Sequence, residues 1–190
     1  RAYGIPSPEG IRLKRGESES RRIPYPCIVK ACCCGSSIGV SIAENEEEYQ
    51  QAKAEAFRYG DEVLVEQYIR GREFSVGVID GRALPVIEMA PLEGFYDYRN
   101  KYQAGAAVET CPAEIEPEKA REMQEISEKV FSILRLKSYA RMDFIMGSQG
   151  EIYCLEANTL PGMTPTSLLP QEAAAAGMDF GELCEEILRL

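Results

Sequence analysis

Glu151-Ile152-Tyr153-Cys154-Leu155-Glu156-Ala157-Asn158-Thr159-Leu160-Pro161-Gly162-Met163-Thr164-Pro165-Thr166-Ser167, read with Arg141-Met142-Asp143 just upstream, is the stretch from which the fold follows. Ser138–Met146 and Glu151–Ala157 both read as strands, with Gly147-Ser148-Gln149-Gly150 as the turn between them. Side chains alternate along a strand. Met142, Phe144 and Met146 therefore share one face of the first strand, and Tyr153, Leu155 and Ala157 one face of the second. These six apolar residues are expected to face the core. The opposite face then carries Arg141, Asp143, Ile145, Ile152, Cys154, Glu156 and Asn158. A turn centred on Ser148-Gln149 sets Asp143 across from Cys154 and diagonal to Glu156, and diagonal neighbours lie roughly 7–8 Å apart, within reach of one metal ion. Two carboxylates and an amide are hard oxygen ligands of the kind Mg²⁺ takes beside a nucleotide's phosphates. An arginine next to them suits a developing negative charge, so the set points to phosphoryl or acyl-phosphate chemistry. The same pattern also fits a solvated strand face with a plain Arg–Glu cross-strand pair.

Upstream, Pro26–Lys30 reads as a short apolar strand running into the small-residue loop Gly35-Ser36-Ser37-Ile38-Gly39. Backbone N–H groups in such a loop cradle phosphate oxygens, and Lys30 adds a point charge. The pattern is not a Walker A loop, which ends in Gly-Lys-Ser/Thr, and an ordinary surface loop remains the alternative. Asn45 caps a helix running to about Tyr59, with Glu46, Glu47 and Glu48 in its first turn where the helix dipole favours them. Val63–Tyr68 is a strand. Its end at Arg70-Gly71 offers backbone groups to an adenine edge, and Glu73 suits ribose hydroxyls; a plain core strand fits equally. Glu73–Ile79 and Arg82–Glu88 form a hairpin across Asp80-Gly81. Pro91–Ala107 is a long irregular stretch, the kind that is functional or disordered in a compact domain. Pro117–Leu136 is an amphipathic helix with proline at its start. After the hairpin, Thr166 or Ser167 caps a short helix reaching Ala176, and Asp179 caps a last one over Phe180–Leu190. The order predicts an α+β protein of two lobes, residues 1–70 and 71–190, with the boundary near Arg70-Gly71.

Composition narrows the function. The 190 residues are 45% hydrophobic and 27% charged, enough for one sizeable core or two small ones. The net charge is −10, from 31 acidic and 21 basic residues, and no basic run supports nucleic-acid binding. Acidic stretches such as Asn45–Tyr49 and Glu114–Glu128 read as solvated helix faces. No stretch of about 18 apolar residues suggests a membrane span, and none reads as a signal peptide. Seven cysteines include Cys32-Cys33-Cys34 in a row, a spacing that fits a reducing cytoplasm better than a disulfide framework. Three adjacent thiols also make a poor zinc site, with no histidine anywhere to complete it. The absence of histidine also removes Ser-His-Asp triads and histidine bases. The chain opens on Arg1, and Gly4-Ile5-Pro6-Ser7-Pro8 reads as a connection inside a longer protein.

Together these segments resemble the ATP-grasp superfamily and, within it, the D-alanine–D-alanine ligases. Gly4–Pro8, Val29-Lys30, Gly35–Val40, Val65-Glu66, Glu73–Val76, Tyr96–Tyr102, Ala140–Asp143 and Leu155–Leu168 follow the family's order, the last block being the most specific. The resemblance implies two α/β lobes with mainly antiparallel sheets and a nucleotide site between them. It implies that ATP phosphorylates the carboxylate of one D-alanine, and that the amine of a second attacks the acyl phosphate to give D-alanyl-D-alanine, ADP and phosphate for peptidoglycan precursors. Asp143, Glu156 and Asn158 would hold two Mg²⁺ (or Mn²⁺) ions. Arg141 and the N–H of Gly162 would stabilise the oxyanion. Ser167 and Leu168, at a helix start, would take the second substrate's carboxylate, with Tyr102 nearby. Lys30 would meet phosphate, Ser36 and Ser37 would lie on the closing loop, and Glu66, Gln67, Ile69 and Glu73 would form the adenosine site. Tyr96–Tyr102 resembles the family's omega loop, with Lys101 on the γ-phosphate and Tyr96 in the network near the second substrate; such a loop shields an acyl phosphate from water. A tyrosine-bearing loop without histidine favours D-alanine over D-lactate as second substrate. D-lactate-type or another ATP-grasp carboxylate–amine ligation and a non-catalytic ATP-binding module are the alternatives. The family also implies an N-terminal domain contributing to the first D-alanine's site, a second phosphate-binding lysine just before Gly4, and a homodimer of the full-length protein. This 190-residue stretch is therefore expected to keep the nucleotide and metal site in part, with little or no ligase activity.

Overall fold

The computed structural model describes residues 2–19, 22–33, 39–91 and 107–190. Contacts divide them into two compact units: Pro8–Ile69, and a second that joins the opening residues through Ser7 to the chain from Arg70 onward. The opening segment thus groups with the C-terminal part of the chain and not with residues 8–69; Cys154 N–H donates to the Pro6 carbonyl at 2.8 Å. No helix among the described residues is long and apolar enough to cross a membrane.

The first unit is a four-stranded antiparallel sheet, β1 (Gly10–Lys14), β2 (Cys27–Ala31), β3 (Val40–Ala43) and β4 (Glu62–Gln67), in the order β1-β4-β2-β3. Helix α1 (Glu46–Ala56) packs on one face. Asn45 accepts from Glu48 N–H as its N-cap, and the helix stops at Ala56, short of Tyr59. Cys27, Val29 and Ala31 of β2 and Val63 and Val65 of β4 point to the helix and are buried with Tyr49, Ala52 and Ala56. The alternation that buries Val29 and Val65 puts Lys30 and Glu66 on the opposite face.

The second unit has six strands. These are β5 (Gly71–Ile79), β6 (Arg82–Ala83), β7 (Ile87–Pro91), β8 (Ala107–Thr110), β9 (Tyr139–Gly147) and β10 (Ile152–Asn158), ordered β10-β9-β5-β7-β8 with β6 on β5. Asp80 and Gly81 both take positive φ in the two-residue turn that joins β5 to β6. The strand expected over Arg82–Glu88 is interrupted at Leu84–Val86 and resumes as β7 against Glu73–Ser75, because Pro85 cannot donate to a ladder. Helix α2 (Pro117–Ile133) covers one face: Met123, Val130 and Phe131 pack on Phe74, Val76, Met142 and Phe144. On the other face Leu169 and Ala173 of α3 (Leu168–Ala175) and Leu183 of α4 (Phe180–Arg189) pack on Ile79 and Leu84. A full capping box, Asp179 with Glu182, starts α4.

β1, β3 and β8 were not expected from the sequence. They are short, and β1 carries charged residues at alternate exposed positions, as edge strands do.

Candidate active site

The β9–β10 hairpin differs from its expected register in two places. The turn is centred on Gln149 rather than between Ser148 and Gln149, so Ile152 pairs with Met146 and Cys154 with Phe144. A one-residue slip moves every side chain of a strand to the other face. Ile152 and Cys154 therefore enter the core, where Tyr153, Leu155 and Ala157 were expected, and Cys154 is not a lining residue of the site. Burial pushes its thiol up to about 12, an inert core residue. A bulge then breaks the ladder between Cys154 and Glu156, with Leu155 as the extra residue. Beyond it Ala157 faces the core opposite Met142, while Glu156 lies directly across from Asp143, not diagonal to it, and Asn158 across from Arg141.

The result is a compact polar set. Arg141 donates to both oxygens of Asp143, Nε to Oδ1 and Nη2 to Oδ2, each at 2.8 Å. Asn158 Nδ2 donates to Asp143 Oδ2 at 3.0 Å and to Glu156 Oε1 at 3.1 Å. Asp143 is 7% exposed, so the ion pair is largely desolvated. Burial lowers the guanidinium's proton affinity, but the charge and hydrogen bonds of Asp143 outweigh it and the net shift is upward. Two carboxylates and one amide converge, and no group of three or more His, Cys, Asp or Glu side chains gathers among the described residues. A protein site this sparse in charged ligands fits Mg²⁺, which keeps waters and takes phosphate oxygens alongside one or two carboxylates.

The segment after the hairpin is folded tightly. A Cβ at Gly162 would approach Ser167 Oγ to 2.8 Å, so a larger residue there would push the Ser167 side chain aside. Ser167 occupies the N-cap of α3 as expected, but its side chain makes no bond to the helix. Its Oγ instead accepts from Thr164 N–H at 3.1 Å and lies 2.8 Å from Thr164 Oγ1. Leu168 opens the helix and is buried.

In the first unit Lys30 Nζ lies 2.7 Å from Glu66 Oε2. Gly10, the β1 partner of Glu66, leaves room for that side chain; a Cβ would meet Glu66 Cγ at 2.8 Å. Gln67 N–H donates to the Glu9 carbonyl at 2.7 Å and Ile69 follows beyond the strand. Glu73 belongs to the second unit, on β5 between Met89 and Ile145. Ser36, Ser37, Tyr96, Lys101 and Tyr102 lie outside the described residues, as does Cys34.

One member of the region went unnoticed in the sequence. Glu172, on α3, is fully buried and accepts from Gly77 N–H at 2.6 Å. A glutamate inside Leu168-Leu-Pro-Gln-Glu-Ala-Ala-Ala175 was the signal available.

A family model described as "D-ala D-ala ligase C-terminus" matches residues 3–189. The chain belongs to the D-Ala-D-Ala ligase C-terminus family. It is 42% identical over 179 residues to a D-alanine–D-alanine ligase of Pediococcus pentosaceus, covering 94% of this chain and 51% of that protein. It is 44% identical over 187 residues to one of Syntrophotalea carbinolica, covering 98% and 61%. The chain thus spans between half and about three-fifths of these relatives. Among solved structures, a D-alanine–D-alanine ligase of Bacillus anthracis complexed with ATP superposes with a TM-score of 0.85 at 29% identity, covering 99% of this chain and 61% of that one. The VanG D-Ala:D-Ser ligase of Enterococcus faecalis gives 0.88 at 28% identity, covering 100% and 58%. The fold is that of the ATP-grasp ligases.

Proposed function

We propose that this chain supplies the ATP, metal and second-substrate parts of a D-alanine–D-alanine ligase, which joins two D-alanines through an acyl phosphate at the expense of ATP. The observation that carries the reading is the convergence of Arg141, Asp143, Glu156 and Asn158, brought into register by the bulge at Leu155. The family and the ATP-complexed relative support it.

Asp143, Glu156 and Asn158 hold Mg²⁺, or Mn²⁺, on the site face of the hairpin. The metal neutralises phosphate charge and fixes the phosphates for transfer. Arg141, held on Asp143 through Nε and Nη2, gives a remaining guanidinium N–H to the oxyanion, with the N–H of Gly162 as a second donor. The first turn of α3, at Ser167 and Leu168, takes the carboxylate of the second D-alanine, where N–H groups and the helix dipole favour an anion. Lys30 contacts phosphate, and Glu66, Gln67, Ile69 and Glu73 bind adenosine; Ser36, Ser37, Tyr96, Lys101 and Tyr102 complete the closing loops. The full-length enzyme works in the cytoplasm, as a homodimer, for peptidoglycan precursor synthesis. The isolated 190-residue chain binds nucleotide and metal but ligates poorly, because part of the relatives' length lies outside it.

Replacing Glu156 with Gln in the full-length protein tests the assignment. It is expected to abolish D-alanine-dependent phosphate release, by roughly a thousandfold or more, as loss of a transition-state charge partner does, while leaving the circular dichroism and melting temperature close to wild type. Wild-type turnover in this variant would overturn the metal assignment. Offering D-alanine, D-serine and D-lactate in turn as second substrate decides the dipeptide-forming reading.

A further inference from the structure

The gap between β6 and β7 leaves an unusual hydrogen-bonding problem at Gly77. Leu84 N–H donates to the Gly77 carbonyl at 2.8 Å, as in an antiparallel pair. The reciprocal bond is replaced on both sides: the Leu84 carbonyl accepts from Gln124 Nε2 at 2.9 Å, and Gly77 N–H donates to Glu172 Oε2 at 2.6 Å. The acid reaches this gap from α3, across the sheet face that also carries Arg141 and Asp143. On that face Gly77 pairs with Arg141 and Ser75 with Asp143. A Cβ at Gly77 would collide with the Glu172 carboxyl and with Leu169 Cδ1, so glycine is what lets the helix sit this low. Ser75 is fully buried on the same sheet face.

We propose that Glu172 is a positioning residue: by filling the ladder gap at Gly77 it fixes the first turn of α3, where the second substrate's carboxylate binds, against the strand that carries Arg141 and Asp143. The proposal rests on the reading of Ser167 and Leu168 as that carboxylate site. A buried acid five residues into the helix is costly unless its bonds are made, and an apolar side chain would pack at this depth without that cost. What the acid adds is a directional bond, which sets the helix's height and rotation on the sheet. Burial pushes its carboxyl up to about 8, against the opposing effects of the Gly77 bond and Arg141. The charged or titratable groups around it are Arg141 and Asp143 on β9 and Cys111, whose thiol is also shifted upward. Glutamine keeps the acceptor for Gly77 N–H; leucine keeps the volume and removes the acceptor.

In the full-length protein, Glu172→Leu is expected to raise the KM for the second D-alanine about tenfold or more while the KM for ATP stays within about twofold, a split that general loosening would not produce. Amide exchange at Gly77 and Gln171, measured without substrates, should accelerate about tenfold in the same variant, and Glu172→Gln should leave every value within about twofold of wild type. Glu172→Asp, which keeps the acid but shortens its reach, carries the same test should the leucine variant not fold. An unchanged D-alanine KM, a parallel rise in both KM values, or a glutamine variant as impaired as leucine would overturn the proposal. A wild-type protein without D-alanine-dependent phosphate release would sink the ligase reading and the substrate role with it. The exchange data would still report whether Glu172 anchors α3.

Discussion

Two cations stand at the ends of the proposed chemistry, and each is held by an acid, but in different ways. Lys30 meets Glu66 through one contact of 2.7 Å on the sheet face away from α1. Arg141 grips both oxygens of Asp143, and Asn158 ties that acid to Glu156. A lysine is a mobile point charge that follows a phosphate, whereas an arginine fork fixes a direction. The contrast fits the roles proposed for them: charge supplied to a nucleotide in one unit, and an aimed donor at the reacting centre in the other.

The comparison breaks most severely if the pairing beyond the bulge slips by one residue. Inserting one alanine between Leu155 and Glu156 is expected to carry Glu156 and Asn158 to the core face and push a carboxylate toward the α2 core, at a cost of about 3–5 kcal/mol as an unpaired buried charge; urea denaturation would measure it, and a folded variant of wild-type stability would refute the register argument. Conservative exchanges sharpen the contrast. Arg141→Lys should lower kcat by roughly 10²–10³ through loss of an aimed donor, while Lys30→Arg should stay within about tenfold because a second cation serves a phosphate nearly as well. Equal losses in steady-state assays would erase the distinction.

A separate expected effect concerns pH. Glu172 has a folded-state value near 8 against an ordinary 4.5. The native state therefore binds more protons than the unfolded chain between those values. Its contribution is complete below about 4.5 and is lost as pH rises toward 8. Relative to Glu172→Gln, wild-type stability should fall by roughly 2–4 kcal/mol across that window. Parallel curves for the two proteins in denaturation series from pH 4.5 to 8.5 would show the acid to be ionised.

Much of this architecture was legible in the sequence because its signals are local. Asn45, Pro117 and Asp179 start helices where their backbone chemistry dictates, and Asp80-Gly81 turns because both residues tolerate positive φ. The edge strands were missed because short polar strands carry little hydrophobic pattern. In β10 both alternating sets, Ile152 with Cys154 and Tyr153 with Leu155, are apolar, which is why alternation alone pointed to the wrong set.

From the sequence by itself came the four residue types of the site and the two strands that carry them, since alternation and spacing are properties of the chain. Only the tertiary structure settled which faces those strands present. The turn length and the bulge at Leu155 set the pairing with β9, and only packing against α2 distinguishes one apolar set from the other. The same holds for Glu172. A glutamate in an apolar helix is visible in the chain, but its partner Gly77 is 95 residues away, at a ladder gap that exists only once β6 and β7 have parted.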